Sequence, residues 1–277
     1  MLQVQVLEKT PNSVKLYIKG VSLHVLNSIR RAAMSEVPTM AIDYVIFIEN
    51  SSVFYDEYIA HRLGLIPLKS GAAYDRYRSP EECAEAGEKR VFSADCFAKF
   101  DLEVENPSNG ILTVYSKDLI PGDPQVTPVY DNIPVAKLIK GQKIKLEAFA
   151  RLGRGKEHVK WSPVTVATHK YVPVITVKDS CTLCGKCIDV CPRKVLLRES
   201  SKVVVDESKI LLCILCKLCE EVCNTHSIKV SHRENEYILY LELTGSLGAK
   251  AVLVEAANIV LRKLDELESK LKGLGVI

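Results

Sequence analysis

Ten cysteines stand in this 277-residue chain, and eight of them fall between Cys181 and Cys223 in two runs of identical spacing. The first run is C-T-L-C-G-K-C-I-D-V-C-P, residues 181–192, and the second is C-I-L-C-K-L-C-E-E-V-C-N, residues 213–224. Each reads C-x2-C-x2-C-x3-C. Three thiolates at this interval can wrap three corners of an iron–sulfur cube, and the fourth cysteine of each run then reaches the other cube. The cross-over assigns Cys181, Cys184, Cys187 and Cys223 to one [4Fe–4S] cluster, and Cys213, Cys216, Cys219 and Cys191 to a second. A three-iron form, or a second site left without metal, is compatible with the same cysteines. Structural zinc is a rival, although it usually draws on separated C-x2-C pairs. Disulfides are the other rival and expect a secreted chain.

The run resembles the two-cluster bacterial ferredoxins, down to Pro192 after the fourth cysteine, while Asn224 stands where the pattern would repeat that proline. The chain around it has to supply strands and cover. Y-V-P-V-I-T-V (171–177) reads as a strand leading into the first run, and Lys194–Leu197 and Lys202–Asp206 are apolar, β-branched pieces between the runs. Leu183, Ile188, Val190, Leu212, Ile214, Leu215, Leu218 and Val222 flank the cysteines and are expected to exclude water, which with N–H bonds to sulfur sets a cluster's potential. So short a module has little core of its own, and ligation is expected to supply much of its folding energy.

Composition is that of an ordinary globular protein: 47% hydrophobic, 26% charged, net charge +3. The charge is too small to announce a nucleic-acid footprint, and no sequence-specific nucleic-acid contact is expected. The N-terminus alternates like a strand and is no signal peptide. No apolar run approaches the ~20 residues needed to cross a bilayer. The chain is read as cytoplasmic, where thiols stay reduced and free to ligate metal.

Residues 2–8 and 13–19 alternate on either side of Thr10-Pro11-Asn12 and predict a hairpin. Ser22 can cap a helix whose stripe is Leu23, Leu26, Ile29, Ala32 and Ala33, ending before Pro38. Residues 70–90 are polar and read as an exposed excursion. Strand candidates follow at 91–105, 111–117 and 143–150, with Asn106–Gly110 as a turn and Pro121–Pro128 as a loop. Cys83 and Cys96 do not complete a tetrahedral site by themselves and read as two reduced thiols. After the cysteines, 227–232 and 237–243 are expected to form a second hairpin around Glu234-Asn235-Glu236. A last helix is expected from a Ser246 cap to Gly273. In it Leu253, Ala257, Val260, Leu264, Leu267 and Leu271 are spaced 4, 3, 4, 3 and 4 apart, a seam suited to a partner helix.

The segments H-V-L-N-S-I-R-R-A-A-M-S-E-V-P-T-M-A-I-D (24–43) and V-I-F-I-E-N-S-S-V-F-Y-D-E-Y-I-A-H-R-L-G-L-I-P-L (45–68) resemble the α-like subunits of multisubunit RNA polymerases. The likeness is strongest to the archaeal branch of that family. It implies an α+β chain: a discontinuous dimerisation domain of hairpins plus helices (1–43 and 226–277), a mostly β insert domain (44–170) and a ferredoxin-like domain (171–225). It also implies a heterodimer with the small α-like subunit L through the helices near 22–36 and at the C-terminus. Asn27, Arg30, Arg31, Leu253, Val260, Leu264, Leu267 and Leu271 are then the partner-binding residues. Further contacts, including His61 and Arg62, are implied with subunit N and the large catalytic subunits.

Nucleotidyl transfer needs metal ions held by clustered carboxylates. No D-x-D-x-D run, P-loop or G-x-G-x-x-G is present, and the six histidines show no nucleophile–base pattern. The expectation is a non-catalytic subunit of a nucleotidyltransferase. The cysteines alone support a different class, a ferredoxin-type electron carrier or the iron–sulfur subunit of an oxidoreductase.

Overall fold

Alternating side chains give β1 (Gln3–Lys9) and β2 (Ser13–Lys19), and the apolar stripe gives α1 (Leu23–Ser35), burying Leu26, Ala32 and Ala33. The computed structural model describes residues 1–89 and 91–275. Pro38 closes α1 by opening β3 (Pro38–Asn50), a strand that ends before α2 (Asp56–Gly64). The polar stretch read as an excursion contains α3 (Pro80–Glu88). Its start is a capping box: Ser79 accepts from the Glu82 N–H while Glu82 reaches back to Ser79, with Pro80 at the first helical position. Those signals are plain in S-P-E-E and outweigh the segment's polarity.

Short strands follow: β4 (Ala98–Glu105), β5 (Leu112–Tyr115), β6 (Ile120–Pro121) and β7 (Pro134–Leu138), then the long β8 (Lys143–Arg154) and β9 (Val164–Val177). The expected strand at 91–105 begins only at Ala98. Cys96 lies in the turn before it, because Cys83 and Cys96 are joined in a disulfide that ties α3 to that turn. This corrects the reading of two reduced thiols. Both sulfurs are buried against Phe97 and Phe149.

The cysteine region holds α4 (Lys186–Val190), the hairpin β10 (Leu196–Arg198) and β11 (Val203–Val205), and α5 (Leu218–Glu221). The second hairpin expected after it is absent: β12 (Ile228–Leu243) runs through Glu234–Glu236 as one strand. Three contacts explain why. Asn235 takes a left-handed φ of 56° and its carbonyl accepts from Gly20 N–H at 2.9 Å. The buried Glu236 carboxylate accepts from the Tyr17 hydroxyl at 2.7 Å and pairs with Lys19 at 3.0 Å. The polar triplet is thus anchored to β2 and its turn, with no chain reversal. The final helix α6 (Ala249–Gly273) is capped by Gly248; Ser246 stands before it, bonded to the Thr244 hydroxyl at 2.8 Å.

The chain separates into two units. One comprises Met1–Glu8, Lys15–Leu23 and Thr168–Tyr240, and its sheet has the order β1-β2-β12-β9. The other comprises Lys9–Val14, His24–Ala167 and the chain from Leu241. Its main sheet is β3-β8-β4-β6, with β8 antiparallel to both β3 and β4. Met40, Ile42, Phe100, Leu102, Ile144 and Leu146 from these strands meet Ile59 and Leu63 of α2 in one core. Each is almost fully enclosed, worth roughly 1.5–3 kcal/mol relative to exposure. In this grouping α1 and α6 fall with the strands of the expected insert, and the arms of the first hairpin, without its turn, fall with the cysteines.

Candidate functional site

The two cysteine runs interleave around two cavities. Cys181, Cys184, Cys187 and Cys223 line one of about 80 Å³. Cys191, Cys213, Cys216 and Cys219 line the other, a tighter space of about 10 Å³. Each quartet takes three thiols from one run and the fourth from the other. Four thiols around each space, three from one run and the fourth from the other, match the ligand pattern of a two-cluster iron–sulfur module, whereas structural zinc usually draws on separated C-x2-C pairs.

The backbone repeats with the ligands. Leu183 and Leu215 have φ of 59° and 58°, Gly185 and Lys217 have 80° and 62°, and Lys194 and His226 have 50° and 48°. Each pair is separated by the same interval as Cys181 and Cys213. A left-handed conformation costs a non-glycine residue roughly 1–2 kcal/mol, so five such residues in one short module mark a strained turn geometry used twice. It curls each run so that its first three thiols face one cavity.

Hydrogen bonding and charge differ among the thiols. The Ser227 N–H donates to Cys223 Sγ at 3.3 Å, and the Thr225 hydroxyl lies 3.5 Å from the same sulfur. Thr225, with backbone N–H groups behind it, outweighs burial and holds the Cys223 thiol below its usual value. Cys219 goes the other way: burial, reinforced by Cys191, Cys213 and Cys216, pushes it up to about 11. Cys187 is raised for the same reasons, burial first and then Cys181 and Cys184. Thiols crowded this way keep their protons until a cation displaces them, so metal loading would release protons. The donor set, four thiols per cavity with an amide aimed at sulfur, fits an iron–sulfur cube.

Cover for the cavities comes from a partly different set of side chains than expected. Leu183, Ile188, Leu215 and Val222 pack against them, and Ile214, although half exposed, lines the second cavity, whereas Val190, Leu212 and Leu218 are largely exposed. The buried wall is built by Ile175, Val195, Leu196, Val203, Ile228 and Val230, all on or beside strands. Val195, Leu196 and Val203 fall in the two apolar segments expected between the runs, Ile175 in the strand expected before them, and Ile228 and Val230 in the strand after them.

A second feature lies between α1 and α6. A groove of about 410 Å³ is lined on one side by Asn27, Ser28, Arg31, Ala32, Ser35 and Glu36, and on the other by Ile259, Val260, Lys263, Leu264 and Leu267. Five of the eight expected partner-binding residues thus come together: Asn27, Arg31, Val260, Leu264 and Leu267. Arg30 is turned inward, donating to Asn27 Oδ1 at 2.8 and 3.0 Å and to the Ala167 carbonyl at 3.0 Å. Leu253 and Leu271 lie outside the groove lining. The helix buries Val252, Ala256 and Ile259, one position back from the leucine seam, and this leaves Leu264 and Leu267 more than half exposed. Glu36 closes one end of the groove, paired with Lys263 at 2.8 Å and Lys156 at 3.5 Å. Burial opposes its ionisation, yet the two lysines prevail and hold its carboxyl below the usual range. Arg62 donates to the Pro134 carbonyl, while His61 borders a separate cavity of about 220 Å³ beside Asp43, His158 and Lys160.

Residues 45–175 match the family described as the RNA polymerase Rpb3/RpoA insert domain, and residues 174–196 match a 4Fe-4S binding domain. Similarity to whole proteins extends almost end to end. The DNA-directed RNA polymerase subunit Rpo3 of Methanosarcina mazei is 39% identical over 266 residues, 96% of this chain and 97% of that one. The chain belongs to the Rpo3 family. The Archaeoglobus fulgidus Rpo3 is 41% identical over 96% of this chain and 97% of its own, and that of Aeropyrum pernix is 35% identical over 99% and 96%. The Rpb3/RpoA insert match opens inside β3 and closes inside β9, so it takes in β4, β6, β8, the second half of β3 and the disulfide. The 4Fe-4S match covers Cys181, Cys184, Cys187 and Cys191, and with the cysteine clustering it marks this Rpo3-family chain as iron–sulfur binding. Among the described residues, no helix is long and apolar enough to cross a membrane.

Sequence reasoning missed several groups beside these sites. Glu36 and Lys263 sit on different helices far apart in the chain, and no local pattern pairs them. Ser227 and Thr225 were foreshadowed only by their place after the last cysteine. Lys170, on β9 beside the second quartet, carried no signal at all.

Proposed function

We propose that the chain is a non-catalytic assembly subunit of an archaeal-type DNA-directed RNA polymerase, and that the α1–α6 groove is where the small α-like subunit L docks. The supporting observation is an apolar floor, Ala32, Ile259, Val260, Leu264 and Leu267, open between two helices in a chain that matches Rpo3 proteins along nearly its whole length. Arg31 and the Glu36–Lys263 pair rim that floor and give an incoming helix a register. The same proposal includes contacts with subunit N and the large catalytic subunits. Purified L should bind the chain, and L that fails to bind under anaerobic conditions would overturn the docking proposal.

The same reading gives the chain two [4Fe–4S] clusters, held by Cys181, Cys184, Cys187 and Cys223 and by Cys213, Cys216, Cys219 and Cys191. A cluster so held supplies covalent cross-links, and a one-electron centre where a reductant is present. The chain's contribution is to curl two strained turns around the thiols, exclude water with Ile175, Val195 and Val230, and aim the Ser227 amide at sulfur. The role is structural or regulatory; structurally, ligation offsets the left-handed backbone at Leu183, Lys194, Leu215, Lys217 and His226. Iron and sulfide analysis of anaerobically purified protein tests it, and a colourless zinc protein would overturn it. A free electron carrier is disfavoured by the long polymerase-like portion outside the cysteines, which electron transfer does not need.

A further inference from the structure

Lys170 is half-buried on β9, and its ammonium donates to two backbone carbonyls, Leu211 at 2.6 Å and Cys213 at 2.9 Å. A half-buried cation normally answers to a carboxylate. Among the described residues no carboxylate lies within ion-pair distance of Lys170, and its acceptors are the carbonyls of Leu211 and Cys213. The ammonium therefore clamps the turn that opens the second cysteine run while lacking a carboxylate of its own.

The first quartet has no half-buried counterpart among the described residues: Lys194 donates to the Ile188 and Asp189 carbonyls of the first run at 3.3 and 2.9 Å, but its ammonium is exposed and screened by solvent. Neutral polar groups stand beside the first quartet: the Thr225 hydroxyl next to Cys223, and Ser180, whose hydroxyl bonds that of Ser227 at 2.9 Å. Lys186 borders that cavity and Arg193 and Lys217 border the other, but all three are exposed and screened by solvent. Four thiolates leave a cube a net anion, and its charge grows by one when it takes up an electron. A fixed, half-buried cation favours the more negative state.

We propose that Lys170 is a positioning residue for the second cluster: it fixes the Cys213 turn and supplies the counter-charge, so that this cluster accepts an electron before the first. The inference rests on the two-cluster reading above and deepens it. No physiological electron donor is implied, because the asymmetry is a property of the sites and shows with any added reductant, such as dithionite.

The test is an EPR-monitored redox titration with dithionite of the full chain in two backgrounds, Cys184→Ser to isolate the second cluster and Cys216→Ser to isolate the first. Lys170→Gln retains a hydrogen-bond donor and removes the charge. In the Cys184→Ser background it should lower the reduced-to-oxidised ratio at fixed potential at least tenfold, 59 mV for a one-electron couple. In the Cys216→Ser background it should change nothing, and Lys170→Arg should stay close to the unsubstituted protein in both. Loss of the second cluster alone in Lys170→Gln, with retention in Lys170→Arg, equally supports a charge-dependent clamp. Shifts of the same size in both backgrounds, no shift in either, or loss of the cluster in Lys170→Arg as well as Lys170→Gln, would overturn it. A parent chain with a full complement of iron and an unmoved potential defeats this inference alone. A parent chain without iron and sulfide defeats the cluster reading and this inference together.

Discussion

Replacing Leu264 and Leu267 together by arginine probes the α1–α6 groove where it is most open. Leu264 is 56% and Leu267 53% exposed, so about half of each side chain is left for a partner to cover. Fully burying a leucine is worth about 1.5–3 kcal/mol. The remaining half of two leucines is then roughly 1.5–3 kcal/mol of docking energy, a ten- to hundredfold change in Kd. Arginine adds to that loss, because Lys263 and Arg31 already stand at the groove and an uncompensated guanidinium would have to be desolvated. A Leu264→Ala, Leu267→Ala variant isolates the apolar part and should show only the ten- to hundredfold weakening. Neither change should disturb the chain alone, since exposed positions move stability by about half a kcal/mol at most. Calorimetric titration with purified subunit L, alongside thermal unfolding of the isolated chain, separates the two effects. Affinities within threefold of the parent for the arginine variant would refute the groove as the docking surface.

Three other perturbations separate the parts of the account. Cys184→Ser should lose iron from the first cavity and raise amide exchange between residues 178 and 228, while heterodimer formation stays intact, because α1 and α6 group with the other unit; a heterodimer lost along with the iron would contradict that independence. Reducing the Cys83–Cys96 bond, or Cys83→Ala with Cys96→Ala, opens a short loop of sequence separation 13 and should cost up to about 3 kcal/mol, read as lower protection in α3 and β8; unchanged exchange there would show the bond contributes nothing. Asp123 is buried, which opposes ionisation, but the Gln125 N–H, the Tyr77 hydroxyl and Arg76 outweigh this and depress its carboxyl. A depressed folded value means stability present above the unfolded value of about 3.9 and lost as pH falls through the folded one. Asp123→Asn should flatten that acid limb, and an unaltered slope below pH 4 would count against it.

The grouping of the eight cysteines into two quartets, which the two cavities repeat, was legible in their spacing without any knowledge of the fold, because an iron–sulfur cube restricts that spacing tightly. The α1 stripe and the leucine seam of α6 were readable for a related reason, since helical periodicity survives in the sequence. What escaped depends on contacts between distant segments. Glu234–Glu236 looks like a turn until Lys19 and Tyr17 are seen to hold Glu236. Cys83 and Cys96 look like ordinary thiols until the capping box at Ser79 builds a helix that brings one against the other. The bulge in β3 between Ile42 and Tyr44, which sets Asp43 against Arg151 at 2.7 Å, leaves no local trace either. Arg30 shows the converse. Its motif suggested an outward contact, and its guanidinium instead bonds Asn27 and the Ala167 carbonyl.

The most direct test of the central claim is anaerobic affinity purification of the tagged chain from an archaeal extract, with the bound proteins identified by mass spectrometry. An assembly subunit should bring down the small α-like subunit and both large polymerase subunits. Recovery of a redox enzyme in their place, with no polymerase subunit present, would contradict the account.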